Sequence, residues 1–215
     1  MLRSLKQLYG HKLGASDGEI GKIKDFYFDD QNWAIRYFVA DTGNWLTGRK
    51  VLISPQSLAS PAAFGKSVDV GLTRRQIEKT PPIESQKPVS RQYEEDYYKH
   101  FGWPYYWKGD DARMIGPQPE PEGHLHSTQA VNGYLVRVND ETVGHVCNFM
   151  IDTESWTIGQ LVVKTGHRLS GKDILMPTKQ VERISHADST IFAYANPETA
   201  GQTPANNLVP TGIIL

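Results

Sequence analysis

The chain matches itself at a spacing of 123 residues, and that repeat limits its fold more than any other feature. Gly10 answers to Gly133, Asp17 to Asp140, Gly21 to Gly144 and Phe26 to Phe149. Asp29 then answers to Asp152, Trp33 to Trp156, Ile35 to Ile158, Val39 to Val162 and Thr42-Gly43 to Thr165-Gly166. Leu46 and Gly48 continue the match at Leu169 and Gly171, and Ile20, Ile23 and Phe38 are replaced in kind by Val143, Val146 and Leu161. One residue is lost before Pro177, the counterpart of Pro55, and the register returns at Thr80-Pro81 and Thr203-Pro204. So many ungapped matches, tryptophan and glycine among them, identify an internal duplication. The 215 residues therefore divide into two units of about a hundred residues each.

The repeated unit reads as β structure. Trp33 to Ala40 is rich in aromatic and β-branched residues, and strict alternation puts Trp33, Ile35, Tyr37 and Val39 on one face. Phe38, Leu161 and Val163 make the other face apolar as well, which predicts a central strand covered on both sides. Ile20 to Phe28 predicts the preceding strand, with a bulge near Asp25 where the alternation slips. Asp29-Asp30-Gln31-Asn32 is a polar hairpin turn between the two. Asp17-Gly18 signals a tight turn that must change type at Asp140-Glu141. Val51 to Ile53, ended by Pro55, and Ser67 to Val70 supply further short strands, and Thr73 caps a short helix over Arg74 to Lys79. Short, regularly spaced strands predict a mainly β protein of two small antiparallel barrels, since closure removes exposed sheet edges.

Between the copies, Ser90 begins a helix that ends before Gly102, with Glu94, Glu95 and Asp96 near its positive end and Lys99-His100 near its negative end. Tyr93, Tyr97 and Phe101 form a stripe along it, and eight of the fifteen residues from Tyr93 to Trp107 are aromatic. Pro117, Pro119 and Pro121 then read as a flexible spacer. The expected organisation is residues 1–82 as a first barrel, 83–123 as an aromatic helical linker, 124–205 as a second barrel and 206–215 as a tail. The aromatic cluster is read as packing on a barrel, against the alternative of an exposed docking surface. Its acidic neighbours argue against base stacking on single-stranded nucleic acid.

The pattern Asp17-Gly18-Glu19-Ile20-Gly21-Lys22-Ile23, then Phe26 to Asp29, then Trp33 to Thr42, resembles the PRC-barrel family, as does the trailing Leu72 to Ile77. The aromatic stretch from Pro88 to Trp107 is similar to one found between tandem copies in bacterial proteins of that family. The family includes the cytoplasmic domain of the photosynthetic reaction-centre H subunit and the C-terminal barrel of the ribosome maturation factor RimM. The resemblance implies a bacterial docking or scaffolding module. A ribosome- or RNA-associated accessory role, and an accessory role in a photosynthetic or electron-transfer complex, are the alternatives it carries.

Charge and motifs narrow the function classes. Net charge is −1, and the most basic stretch, residues 1–89, has 13 basic against 9 acidic residues. That is no strong basic field, so no strong nucleic-acid binding is expected. Cys147, the single cysteine, has no partner for an intramolecular disulfide and lies in a strand-like run. There is no secretory leader pattern and no apolar run near the ~20 residues of a membrane-crossing helix, so a soluble, cytoplasmic protein is expected. No phosphate loop, dinucleotide fingerprint, zincin helix or nucleophile elbow occurs. Gly166 to Gly171 answers to the turn Gly43 to Gly48, and His124-Leu125-His126 lacks the other ligands of a recognised metal site. The repeated acids Asp17/Asp140 and Asp29/Asp152 suit turns better than acid–base chemistry, and Trp33/Trp156 suit core anchors. No catalytic, cofactor-binding or metal residue is assigned and no cofactor is implied. The expected partner is another protein, and self-association stays open. An enzyme with a site between the copies is the remaining rival.

Overall fold

The computed structural model describes residues 1–43, 45–46, 48–59, 67–81, 89–108, 125–166 and 171–195. The chain is mainly β and builds two sheets. The first contains β2 (Lys12–Ala15), β3 (Gly18–Asp29), β4 (Ile35–Asp41), β5 (Lys50–Ile53) and β6 (Ser67–Asp69) in the order β5-β4-β3-β2-β6. The second contains β8 (Leu135–Val138), β9 (Glu141–Asp152), β10 (Thr157–Lys164), β11 (Asp173–Pro177), β12 (Val181–Ser185) and β13 (Thr190–Ala193) in the order β11-β10-β9-β8-β13-β12. Neither sheet closes into the expected barrel among the described strands. Nor is either wholly antiparallel: β2 pairs with β6, and β8 with β13, in parallel. The chain returns to these strands through long connections, which permit parallel pairing where a hairpin would not.

The hairpin β3–β4 shows why the sequence folds this way locally. Its turn is held by Asp29, whose Oδ1 accepts the Asn32 N–H at 2.6 Å. The register slips between Ile23 and Asp25, where the alternation had predicted a bulge, and the equivalent slip recurs between Val146 and Asn148. A second slip, opposite Arg36, corrects the expectation that Trp33, Ile35, Tyr37 and Val39 share a face. One extra residue inverts every side chain beyond it. Trp33, Ile35, Phe38 and Ala40 therefore point into the main core, whereas Tyr37 and Val39 turn to the outer face. The same inversion occurs at Gly159 in β10. The Asp17 turn also changes type as expected, because Asn139 and Asp140 are both left-handed, at φ 47° and 69°, where Asp17 is not.

Each sheet borrows one strand from the far end of the chain. β1 (Leu2–Ser4) pairs with β9, and β7 (Leu125–Ser127), its counterpart 123 residues on, pairs with β3. Residues 1–82 and 124–205 thus do not make self-contained sheets. The exchange is fastened by side chains at the two bulges. Asp25 Oδ1 accepts from Thr128 Oγ1 at 2.9 Å and from the Gln129 N–H at 3.1 Å. Asn148, at the equivalent position, accepts the Lys6 N–H at 3.1 Å and donates to Ser4 Oγ at 2.6 Å. Between the sheets, Ala34 faces Thr157 in an antiparallel bridge. There the Ile35 N–H donates to Trp156 O and the Ile158 N–H to Trp33 O, both at 2.7 Å. Both tryptophans are left-handed at φ 56°, a strained state for a bulky residue. Their rings complete a single core: Phe28 meets Trp33 at 5.3 Å and Phe149 at 5.9 Å, and Phe38 meets Trp156 at 4.6 Å.

Gly21 and Gly144 are required by close approach. A Cβ on Gly21 would lie 2.0 Å from Asp41 O, and one on Gly144 would lie 2.3 Å from Lys164 O. Gly21 also sits at φ 153°. Gly21→Ala is expected to cost at least about 1–3 kcal/mol from overpacking alone. Gly159→Ala, where a Cβ meets nothing within 4 Å, is expected to be nearly neutral. Urea midpoints of the two variants check this, and equal midpoints would remove the steric account of the repeated glycine.

Candidate functional site

The most elaborate side-chain assembly lies on the outer face of the first sheet. Helix α2 (Arg91–Phe101) starts at Ser90, whose Oγ accepts the Tyr93 N–H, and stops at Gly102 in the left-handed region at φ 67°. Both ends are the ones read from the sequence. The helix lays Tyr97 and Tyr98 against Tyr37 and Val39, which the second bulge turns outward, and against Leu52 of β5, and Leu125 of the borrowed strand completes the patch. Tyr97 and Tyr98 are 0% and 1% exposed, whereas Phe101 is only partly buried. The anchor of the aromatic cluster is therefore Tyr97-Tyr98 rather than Phe101. Tyr97 Oη donates to Leu52 O and accepts the Ser54 N–H, both at 3.1 Å.

A buried carboxylate organises the near end of this cap. Glu94 is fully buried and accepts from Tyr106 Oη at 2.9 Å, Tyr37 Oη at 3.2 Å and the Arg91 guanidinium at 3.0 Å. Arg36, paired with Asp29, stacks its guanidinium 3.7 Å from the Tyr106 ring centre, and Arg91 stands 4.3 Å from that of Trp107. Burial, then the Glu94 charge, pushes the Tyr37 and Tyr106 hydroxyls well above the ordinary tyrosine value, and burial pushes Tyr98 up to about 12. These phenols act as hydrogen-bond donors, not as acid–base groups near neutral pH. The sequence revealed the aromatic stripe but missed Glu94 and Tyr98. Glu94 had read as a helix-dipole residue, and only its spacing of three from Arg91 hinted at a paired buried charge.

A second polar array lies where β7 meets the second sheet. His126 Nε2 is 2.9 Å from Asp30 Oδ2, His126 Nδ1 is 2.7 Å from His186 Nε2, and His186 Nδ1 is 2.8 Å from Tyr134 Oη. Partial burial, then the His126 neighbour, lowers the His186 pKa. Direct bonding between the imidazoles leaves no space for an ion between them, and among the described residues no group of three His, Cys, Asp or Glu is placed to hold a metal. His124, Asp110, Asp111, the spacer prolines, residues 167–170 and the tail 206–215 lie outside the described residues.

The other residues weighed in the sequence are scattered. Asp17 Oδ1 accepts the Arg74 N–H at 2.7 Å, at the start of α1 (Arg74–Glu78), whose capping box is formed by Thr73 and Gln76. Asp152 accepts the Glu154 N–H at 3.0 Å and the chain's first amino group at 2.7 Å. Asp140 is an exposed turn residue. Cys147 is half-buried beside a cleft of about 450 Å³ lined also by Lys6, Tyr9, Thr128 and Asn148. Burial raises its thiol pKa, which keeps it protonated and weakly nucleophilic. The β2–β6 segment, with its paired-acid turns, bulged hairpin and Trp33, corresponds to a known module. Residues 7–70 form a PRC-barrel domain. The PRC-barrel domain thus begins just after the exchanged strand β1 and ends at β6, before α1 and the aromatic helix. None of the curated proteins compared with the chain matches it. No helix among the described residues is long and apolar enough to cross a membrane.

Removing the Tyr97 hydroxyl orphans Ser54 N–H and Leu52 O, so Tyr97→Phe is expected to cost about 1–3 kcal/mol. Tyr97→Ala should cost about 3–5 kcal/mol and Phe101→Ala clearly less, because less of its surface is buried. Denaturant unfolding orders the three, and a Phe101→Ala loss exceeding that of Tyr97→Ala would displace the anchor. The lowered His186 pKa means the unfolded chain binds the proton first as pH falls. Stability should therefore decline as pH drops below the ordinary histidine value of 6.5. The decline should be shallow, because His186 is largely exposed. His186→Gln should flatten this part of the curve, and an unchanged slope would assign it to other groups.

Proposed function

We propose that the chain is a non-catalytic scaffold, a rigid two-sheet body that presents apolar and aromatic surface to a protein partner. In this reading residues 124–205 are a second, divergent PRC-type unit, related to the first by the 123-residue repeat. The observation that carries it is how the polar groups are used. Asp25, Asn148, Asp29 and Glu94, the groups best placed for chemistry, are all engaged in bonds that join strands or seat the cap. What remains at the rim is half-buried aromatic surface at Trp103, Tyr105, Tyr106 and Trp107. Partly exposed rings of this kind supply contact area at low conformational-entropy cost. A bacterial, cytoplasmic setting fits the reading.

Affinity capture from native lysate of the source cell, with and without ribonuclease, tests it. A stoichiometric protein partner retained after nuclease is the expected result. Loss of every partner on ribonuclease treatment would replace the scaffold with an RNA-associated role. In a fluorescence titration at physiological salt, duplex DNA and structured RNA should bind only weakly, and a salt-sensitive submicromolar affinity would have the same consequence.

A further inference from the structure

The two sheets carry the same cleft at matching places, and the two clefts differ in charge. One, of about 510 Å³ beside β8 and β9, shares Lys6, Asn132 and Cys147 with the cleft already described. Nearly all of its lining positions recur, at the 123-residue offset, in a cleft of about 570 Å³ beside β2 and β3. In that first cleft Lys22 is registered with Asp41, an opposite-charge pair, and Glu19 and Lys24 add one charge of each sign. The residues at the positions of Lys22, Asp41, Glu19 and Lys24 are His145, Lys164, Thr142 and Cys147. His145 and Lys164 are again directly opposed in the register. Lys6 takes the place that Gln129 holds in the first cleft. The first cleft is thus charge-balanced, whereas the second is lined by Lys6, Lys164 and His145 and, among the described residues, by no carboxylate.

A lysine opposed to a histidine gains no attraction across the ladder, and the two repel once the imidazole is protonated. Nothing within the protein offsets them, because Lys6, His145 and Lys164 make no side-chain hydrogen bond or ion pair among the described residues. Asp173, registered with Lys164 from β11, is exposed, lies outside the cleft lining and forms no ion pair with it. The Cys147 thiol senses all of these charges: burial and Asp173 raise its pKa, and Lys164 and Lys6 oppose the rise. Both lysines therefore act on one point of the cleft. Lys6 is placed there by the strand-exchange clasp, through its N–H bond to Asn148 Oδ1. Leu135, registered with His145 and 47% exposed, adds an apolar wall. Two lysine charges match the charge of about −1.5 to −2 on a phosphate monoester near neutral pH, where a single carboxylate would leave one of them uncompensated. A few placed polar groups beside an apolar wall is the usual make-up of a small-molecule site. We propose that this cleft binds a small phosphorylated organic molecule, its phosphate held by Lys6, Lys164 and His145 and its carbon skeleton resting on Leu135. The site goes beyond the scaffold reading and stands without it.

The probe is phenyl phosphate, titrated into the isotope-labelled full-length protein and followed by amide chemical shifts, with phenyl sulfate and inorganic phosphate as comparisons. Phenyl phosphate should saturate one site and move the amides of Lys6, Gly133, His145 and Lys164. Phenyl sulfate, of the same shape but a single charge, should bind several-fold more weakly, and so should inorganic phosphate, which lacks the ring. Lys164→Gln and, separately, Lys6→Gln should weaken phenyl phosphate at least tenfold. Lys164→Arg keeps the charge and should bind as the parent does, which separates loss of charge from loss of fold. Lys22→Gln, in the first cleft, should change nothing. Shifts that never saturate, shifts centred on the first cleft, equal affinity for phenyl sulfate, or undiminished binding by the folded glutamine variants overturn the proposal. Equal affinity for inorganic phosphate also overturns it, since the cleft would then hold a bare ion and not an organic phosphate.

Discussion

The antiparallel meeting of residues 33–35 with 156–158 is the constraint on which the rest of the molecule depends. Two reciprocal backbone bonds hold both tryptophans in a left-handed conformation that neither would adopt alone. That conformation ends the turn after β3 or β9 and starts the next strand of the same sheet. It also sends the two indoles into a shared core, where Phe28 meets Phe149 and Phe38 meets Trp156 across the junction. A non-glycine residue at positive φ persists only where its surroundings over-determine it. Here each copy of the repeat supplies those surroundings for the other.

Strand exchange follows the same logic. β1 and β7 precede their own repeats in sequence yet pair with the opposite sheet, and the bulges at Asp25 and Asn148 supply the side chains that receive them. The charged Asp25 receives a hydroxyl-rich Ser127-Thr128 segment, whereas the neutral Asn148 both accepts and donates. The two clasps thus share a geometry and differ in chemistry. The outer faces differ more: the first carries Arg36, Tyr37 and a helix with a buried carboxylate, where the second has Gly159 and Gln160 at the positions of the first two.

Much of the local structure was legible because local chemistry decides it. Ser90 and Gly102 bound a helix wherever it docks, Thr73 and Gln76 make a capping box from adjacent residues, and the slip in alternation at Asp25 marks a bulge. The second bulge was not legible. Nothing in the run from Trp33 to Val39 breaks its apolar alternation, and the extra residue, Arg36, is an ordinary strand residue until it pairs with Asp29. That one unmarked residue put Tyr37 and Val39 on the wrong face in the sequence reading. It thereby hid the outer patch on which the aromatic helix sits.

The sequence by itself determined that strand-forming segments, glycines and turn acids recur at a fixed offset of 123 residues, and that an aromatic helix lies between the matching stretches. All of these are properties of residues close in sequence or of identity at a fixed offset. Only the tertiary structure decided that the two sheets exchange strands and share one core, and that Glu94 is buried among tyrosines beneath an aromatic cap. Those outcomes depend on pairings between residues more than a hundred positions apart. Their energies come from desolvation and hydrogen-bond geometry that no local pattern encodes.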